Sequence, residues 1–410
     1  MEESTPRTHP LLPYVALSAF LAVIVGIPLH QAVHEAVKEK ETPYVVDFFT
    51  QWPTKKHLHG WDQAARDRSI MSKLIRPAFQ QLQYDVLGYP GPKAIESKVD
   101  GGWLFYTPDV QYLIEAAWDD PRFLHGTLDT LVNGKRINTH LPLHAILKFR
   151  DQLKERGIEL LLVPVPGKPS IYPDKLNPSL PAEIVSPTES FIREMRNRGL
   201  AVVDLFPVLR KARQTETAEL YLRYDTHWTP AGLAHAAEAI ARQVREYPWF
   251  PAEAGRDSAG LPLVERFDLR VVETLRQGDI GEMTKLPERK RIWPEQKVQA
   301  EVVMDARTEK PYADLDSSEI LFLGDSFSRI YQTDEPKSAG LIAHLARELN
   351  QPLASIVNDG GASSLVRQQL YRKARLLKGK KLVIWEFVER DIRFGKDGWE
   401  ILDLPKIPET

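Results

Sequence analysis

Glu319-Ile320-Leu321-Phe322-Leu323-Gly324-Asp325-Ser326-Phe327-Ser328 is the stretch on which the fold turns. Ile320 to Leu323 is an unbroken apolar run, the pattern of a strand buried on both faces. Gly324 permits a sharp turn, and Ser326 is delivered to the carboxyl end of the strand. In open α/β sheets ligands bind at that end. The same residues also suit an ordinary strand-to-helix junction with Asp325 or Ser326 as N-cap. A serine nucleophile needs a base, an acid to orient the base and donors for an oxyanion, so the rest of the chain must decide.

On both sides of this stretch, helical and strand patterns alternate. A helix is expected over 141–155, closed by Gly157, and a buried strand over 158–165. Residues 166–173, rich in proline, read as a stiff loop. A helix over 191–198 stops at Gly199, and a short strand covers 201–206. Pro230 opens a helix at its first position, where its missing N–H costs nothing, and the helix runs to 246. Beyond the opening stretch come a helix over 339–349, a strand over 353–357, a helix over 365–377 and a last buried strand over 381–387. Strands near 160, 203, 321, 355 and 384, most of them separated by helices, predict a doubly wound parallel sheet of five strands in an α/β fold. Residues 247–318 are less regular and read as an excursion from this body. Its basic segment 285–297, which holds Trp293, is either a solvated loop or a lip over a groove.

The N-terminal part is of another kind. Residues 11–29 carry no charge and are rich in Leu, Val, Ala and Ile. Nineteen residues at ~1.5 Å each just cross a ~30 Å hydrocarbon layer. The run is long, and Pro28-Leu29-His30 is a poor cleavage site, so an uncleaved signal anchor is favoured over a removed signal peptide. Arg7 precedes the run, while Lys38 and Lys40 follow it among Glu35, Glu39 and Glu41, which leaves orientation weakly encoded. If the body is exported, the short N-terminus stays inside. A charged, helical stalk follows over 30–41. An amphipathic helix is expected over 61–84, with Ile70, Leu74, Ala78 and Leu82 at helical spacing, ended by Gly88, Pro90, Gly91 and Pro92. Asp100-Gly101-Gly102-Trp103-Leu104-Phe105-Tyr106 is a turn leading into an aromatic strand, read as a packing hairpin. The domain reading is therefore a tip and anchor over 1–30, a stalk and helical segment over 31–99, and a catalytic domain over 100–410 with its insertion at about 247–318.

The chain has 410 residues, 43% of them hydrophobic and 27% charged, which is the composition of a folded protein of one or two domains. A net charge of −2 gives no sign of a nucleic-acid partner. The chain has no cysteine, so disulfides and thiolate metal sites are excluded.

The base and acid have candidates in Tyr224-Asp225-Thr226-His227-Trp228-Thr229-Pro230, just before a helix. Histidine suits removal of a serine proton near neutral pH. A carboxylate two residues earlier can bond the other ring nitrogen and hold its tautomer if the loop turns back on itself. By itself Asp-x-His also describes a surface loop. Together with a serine at a strand end it makes a triad of Ser326, His227 and Asp225. Oxyanion donors are sought in the Ser326 N–H and in Asn358, Gly360 and Gly361, which also follow a strand. Asn358-Asp359-Gly360-Gly361 reads equally as a plain turn.

Gly324-Asp325-Ser326 with Asp225-x-His227 resembles the SGNH (GDSL-type) hydrolase superfamily, and more closely the alginate O-acetyltransferase family of membrane-anchored or periplasmic SGNH-like proteins. The collinear segments that carry the resemblance are the 100–106 turn, the 166–173 loop, Asp225-Thr226-His227-Trp228, Gly278-Asp279-Ile280 before Met283, Gly324-Asp325-Ser326-Phe327-Ser328 and Trp385-Glu386-Phe387-Val388-Glu389-Arg390. The order matters: ordinary SGNH hydrolases place the serine first and the Asp/His pair last, whereas the acetyltransferase family has the permuted order found here. Many such acetyltransferases add a carbohydrate-binding module after this body, and none is expected here after Asp391. The resemblance implies Ser326 as nucleophile, His227 as general base and Asp225 as its orienter. It implies acetyl transfer to hydroxyls of an exported polysaccharide, alginate or similar, through an acetyl-serine. A membrane-bound O-acyltransferase would supply the acetyl group, the anchor would hold the chain in the bacterial inner membrane with its catalytic domain in the periplasm, and no metal or soluble cofactor would be required. A carbohydrate acetylesterase with the same triad, and a non-catalytic glycan-binding subunit, are the alternatives. An anionic acceptor would call for a basic groove, for which residues 285–297 and 372–381 are candidates if they are not solvated faces.

Overall fold

The computed structural model describes residues 12–40, 42–50, 52–115, 117–120, 131–132, 135–136, 142–250, 266–394 and 398–405. The chain forms two compact units, Met1–Leu87 with Leu131–Arg136, and Gly88–Thr130 with Ile137–Thr410.

In the first unit the helix Leu12–Leu21 continues through a π-helical turn, Ala22–Gly26, into Ile27–His34 and Glu35–Glu39. By length and composition Leu17–Glu39 is able to cross a membrane. The expected helix over 61–84 is in fact two helices, Lys55–Arg68 and Ile70–Leu87, because Ser69 adopts ψ 114° between them. The expected N-terminal tip lies largely outside the described residues.

The second unit is built on the predicted parallel sheet. It opens with a hairpin, β1 (Ala94–Ser97) against β2 (Trp103–Tyr106). Then follow α1 (Pro142–Lys154), β3 (Glu159–Val165), α2 (Pro187–Asn197), β4 (Ala201–Val202), α3 (Leu205–Thr215) and α4 (Pro230–Val244). Further along the chain come β5 (Phe267–Arg276), α5 (Asp279–Met283), β6 (Gln296–Asp305), β7 (Ile320–Gly324), α6 (Ser326–Arg329), α7 (Leu341–Glu348), β8 (Ala354–Val357), α8 (Leu365–Arg372) and β9 (Leu382–Val388). The five-stranded sheet has the order β8-β7-β9-β3-β4, and every pair in it is parallel.

Side-chain alternation divides the core in two, as a pleated sheet covered on both faces requires. Leu161, Val163, Phe322 and Ile384 face Leu209, Leu233, Ile240 and Leu345. Leu160, Leu162, Leu321, Leu323 and Trp385 face Ile146, Phe149, Phe191 and Val366 on the other side. Helices α3, α4 and α7 cover the first face, and α1, α2 and α8 the second.

Three segments depart from expectation. The predicted strand over 201–206 stops at Val202, because Asp204 accepts from Phe206 N–H at 3.1 Å and caps α3. Its buried Leu205, Leu209 and Ala212 lie at helical spacing. The stiff loop at 166–173 winds into two single turns, Lys168–Ile171 and Pro173–Leu176, each with proline in its first turn. The region read as an irregular excursion contains the ten-residue strands β5 and β6, paired antiparallel from Phe267↔Asp305 to Arg276↔Gln296. Its half-buried alternation is masked by charged residues on the solvent side. Within its basic segment Trp293 is buried, and Lys297 pairs with Glu273 at 2.7 Å on the hairpin surface.

Candidate active site

The parallel order brings the carboxyl ends of β3, β7, β8 and β9 to one edge. There β7 ends at Gly324, and Asp325 caps α6 by accepting from Phe327 N–H at 2.8 Å. The cap does not use the N–H of Ser326, the first residue of that helix. Trp228, fully buried, keys the segments bearing His227 and Ser326 together: its Nε1 donates to Phe327 O at 3.1 Å and its ring meets that of Phe327 edge-on.

The loop carrying Asp225 and His227 does turn back on itself. Leu222 N donates to His227 O at 3.1 Å, and Thr229 N to Leu220 O at 2.9 Å, closing a narrow antiparallel turn. His227 Nε2 lies 2.8 Å from Ser326 Oγ. His227 Nδ1 lies 2.6 Å from Asp225 Oδ1, which also accepts from His227 N at 3.0 Å. The structure thus brings together Ser326, His227 and Asp225 across 99 residues of chain. Asp225 is 1% and His227 5% exposed, so their pairing is shielded from water.

The charges follow from this enclosure. Burial by itself would raise the Asp225 carboxyl, but the His227 charge and the hydrogen bonds from His227 outweigh it and hold the group well below the usual carboxylate range. Burial would likewise lower His227, yet the charge of Asp225 and its hydrogen bond prevail and raise the imidazole above its ordinary value, with Asp279 adding to the rise.

Two further residues belong to this site that the sequence did not single out for a role, although both lie in segments that carried the resemblance. Asp279 accepts from Thr226 N at 2.7 Å and from Thr226 Oγ1 at 2.6 Å, while its own N–H donates to Asp225 Oδ2 at 3.1 Å. Burial and the neighbouring Asp225 charge push its carboxyl up. Gly278, at φ 85°, lets it come so close, since a Cβ there would stand 2.5 Å from Tyr224 O. Lys168 is completely buried. Its Nζ donates to the carbonyls of Leu104 (2.5 Å), Leu222 (2.9 Å), Arg223 (3.1 Å) and Asp225 (2.6 Å). Burial draws its pKa down to about 8. It fills the inside of the Asp225 turn and binds it to β2. A glycine-lysine pair after a strand was the only local signal for it.

Glu386 and Glu389 flank the site from β9. Glu386 Oε2 accepts from Asp325 N at 3.0 Å and Ser328 Oγ at 2.6 Å, bracing the turn that bears Ser326. Gly324 makes room, since a Cβ there would fall 2.7 Å from that oxygen. Of the expected oxyanion loop, Asn358 N donates to Gly324 O at 3.0 Å, which sets the loop beside the serine turn. Gly361 N donates to Asn358 O at 3.1 Å, so that N–H is spent on closing the turn. Gly360 holds φ 63° with open space at its Cα. The Asn358 side-chain amide makes no hydrogen bond among the described residues.

Asp225, His227 and Asp279 also place ligand-type atoms within 4.8 Å of one another. A metal ion there would have to break the 2.6 Å bond between Asp225 and His227, so the donor set favours proton transfer.

Residues 101–389 match the family model of the SGNH hydrolase-like domain, acetyltransferase AlgX. The chain belongs to this family. Among curated proteins it is 27% identical over 295 residues to a probable alginate O-acetylase AlgJ of Pseudomonas syringae, covering 69% of this chain and 71% of that one. It is 32% identical over 96 residues to a probable alginate O-acetylase AlgJ of Pseudomonas aeruginosa, covering 23% and 24%. The O-acetyltransferase domain of Pseudomonas putida AlgJ superposes with a TM-score of 0.53 at 21% identity, over 74% of this chain and 93% of that domain. That likeness shows the fold. The family model spans every segment of the site from Trp103 to Glu389, so this member of the SGNH-like acetyltransferase family is read as an O-acetyltransferase.

Proposed function

We propose that this acetyltransferase esterifies hydroxyl groups of an exported polysaccharide, alginate or a related glycan, through an acetyl-Ser326 intermediate. The observation that carries the reading is the continuous line from Asp225 through His227 to Ser326, with spacings of 2.6 and 2.8 Å. His227 Nε2 takes the Ser326 proton as Oγ attacks the carbonyl carbon of an acetyl ester. The tetrahedral intermediate puts negative charge on the former carbonyl oxygen, and the Ser326 N–H, with Gly360 N–H or the Asn358 amide, would receive it. His227 returns the proton to the departing alcohol and leaves acetyl-Ser326. A sugar hydroxyl then gives its proton to His227, attacks the acetyl carbon, and leaves as the O-acetyl ester while Ser326 regains the proton. Asp225 keeps the ring in the tautomer with Nε2 free to accept.

In this reading the Leu17–Glu39 helix anchors the chain in the inner membrane with the catalytic unit in the periplasm. A membrane-bound O-acyltransferase hands on the acetyl group. The exposed Arg372, Lys373 and Arg375 line a groove with Asp316, Tyr371 and Ser355 where β7 and β8 begin, at the end of the sheet away from Ser326, so the acceptor at the serine is not held there. The test is glycan acetylation from an acetyl-ester donor. Ser326→Ala is expected to lose glycan acetylation by several orders of magnitude and all labelling by fluorophosphonate probes, with its unfolding midpoint kept. Wild-type acetylation by that variant would overturn the reading, and acetate release without glycan acetylation in the wild type would turn it into an esterase.

A further inference from the structure

The Ile70–Leu87 helix wears its amphipathic pattern outward. At 100° per residue, Leu74, Ile75, Ala78, Phe79, Leu82 and Val86 share one arc, interrupted by one charge, Asp85, which accepts from Gln81 Nε2 at 2.9 Å. All six are exposed, Leu74 by 70% and Val86 by 69%. The opposite arc carries half-buried Gln80 with Lys73 and Arg76, and one apolar residue, exposed Leu87. A helix of a water-surrounded unit packs the other way round.

The corner where this helix begins is fastened to the candidate span. Gln31, 3% exposed, donates from Nε2 to Glu35 Oε1 at 2.9 Å and to Arg68 O at 3.1 Å, and its Oε1 accepts from Ile70 N at 2.8 Å. Glu35, fully buried, pairs with Arg68 Nε at 3.0 Å and accepts from Tyr44 N at 2.9 Å. The uncharged part of the span ends at Leu29, two residues before Gln31, and the charges of Glu35, Lys38 and Glu39 follow. Nineteen uncharged residues match the ~30 Å hydrocarbon layer. The corner therefore stands at the level where the chain leaves the hydrocarbon, and the exposed apolar arc starts from there. Lys73 and Arg76, both exposed, lie on the polar side of the same helix, as in helices that rest in a lipid interface.

We propose that the Ile70–Leu87 helix lies in the membrane interface and seats its apolar arc in the headgroup–acyl boundary of the bilayer that the span crosses. The proposal rests on the anchor reading above and adds a second, in-plane contact to it. The absence of cysteine makes the test clean. Full-length single-cysteine variants Val25→Cys, Phe79→Cys, Leu82→Cys and Arg76→Cys, all at exposed positions, are labelled with an environment-sensitive fluorophore. They are then reconstituted in phosphatidylcholine–phosphatidylglycerol vesicles with spin-labelled lipid as quencher. Positions 25, 79 and 82 are expected to be quenched at least threefold more strongly than position 76. Quenching at 25 with none at 79 and 82 would overturn the proposal alone and assign the arc to a protein partner. No quenching at 25 would overturn the anchor reading, and the proposal with it.

Discussion

Asp225 does two things for His227 that pull on its pKa and its geometry together. Its carboxylate raises the imidazole above the ordinary value against the opposing effect of burial, and it holds Nδ1 so that Nε2 points at Ser326. A base must be neutral to accept a proton, so activity should fall as pH drops through that raised value. Asp225→Asn removes the charge, which lowers the His227 pKa, and it favours the wrong tautomer. Its kcat is expected to fall by roughly 10³–10⁴-fold, with the acidic limb of the pH–rate profile displaced to lower pH. An unchanged limb would mean that another group sets it.

At the scale of the element, the turn bearing Ser326 and the loop bearing His227 are short segments whose shapes depend on groups far away in sequence. Lys168 stands for this. One ammonium gathers four carbonyls, three of them from the turn that ends at Asp225 and one from β2. Lys168→Met keeps the length of the stem and takes the ammonium away from those carbonyls, of which Arg223 O still accepts from Leu104 N at 2.8 Å. Unsatisfied buried acceptors cost about 1–3 kcal/mol each before relaxation. The variant should lose on the order of 3 kcal/mol in urea unfolding and at least tenfold in kcat, because the Asp225 turn loosens. A variant with full stability would show that the carbonyls find water. The sequence pattern marked 166–173 as stiff from its prolines, but a lysine in such a loop is indistinguishable from a solvated one until its surroundings are known.

At the scale of the molecule, Glu389 joins three regions at the sheet's carboxyl edge. Its Oε1 accepts from Gly167 N at 2.6 Å and from Ser170 Oγ, and its Oε2 from Ser186 Oγ at 2.5 Å and Thr188 Oγ1 at 2.9 Å. It thereby links the end of β9, the turn after β3 and the capped start of α2. Glu389→Ala strands these donors in a buried site. It is expected to cost more than about 3 kcal/mol, read as a lower thermal midpoint of the catalytic unit. An unchanged midpoint would show that the link is dispensable.

All five strands of the sheet were legible because each is a short apolar run with turn residues at its ends. The proposed triad of Ser326, His227 and Asp225 could be put forward from the sequence because its residue types are few and their flanking motifs are local, and the structure sets the three within hydrogen-bond distance in a line. The antiparallel pair β5 and β6 was not. It has one covered face, and Arg270, Glu273, Lys297 and Glu301 interrupt the run that marks a buried strand. Helix α3 was hidden for a related reason: Asp204 reads as a loop residue until its carboxylate is seen capping Phe206. Asp279 and Glu389 look like any acidic residue after a turn, and what distinguishes them is the set of N–H and O–H groups that other segments direct at them.

The amino-acid order by itself determined the short apolar runs of β3, β7, β8 and β9, the apolar run before Gln31, and the candidates, a serine, a histidine and a carboxylate, on which the proposed chemistry rests. These are local properties, set by side-chain periodicity and by the backbone freedom of single residues such as Gly324. Only the tertiary structure decided that Ser326 meets His227 at 2.8 Å across 99 residues, that Lys168 and Asp279 hold the loop bearing His227, and that the apolar arc of the Ile70–Leu87 helix faces outward. Each of these depends on which distant groups satisfy a buried polar atom or cover an apolar one, and a one-dimensional pattern carries no record of that pairing.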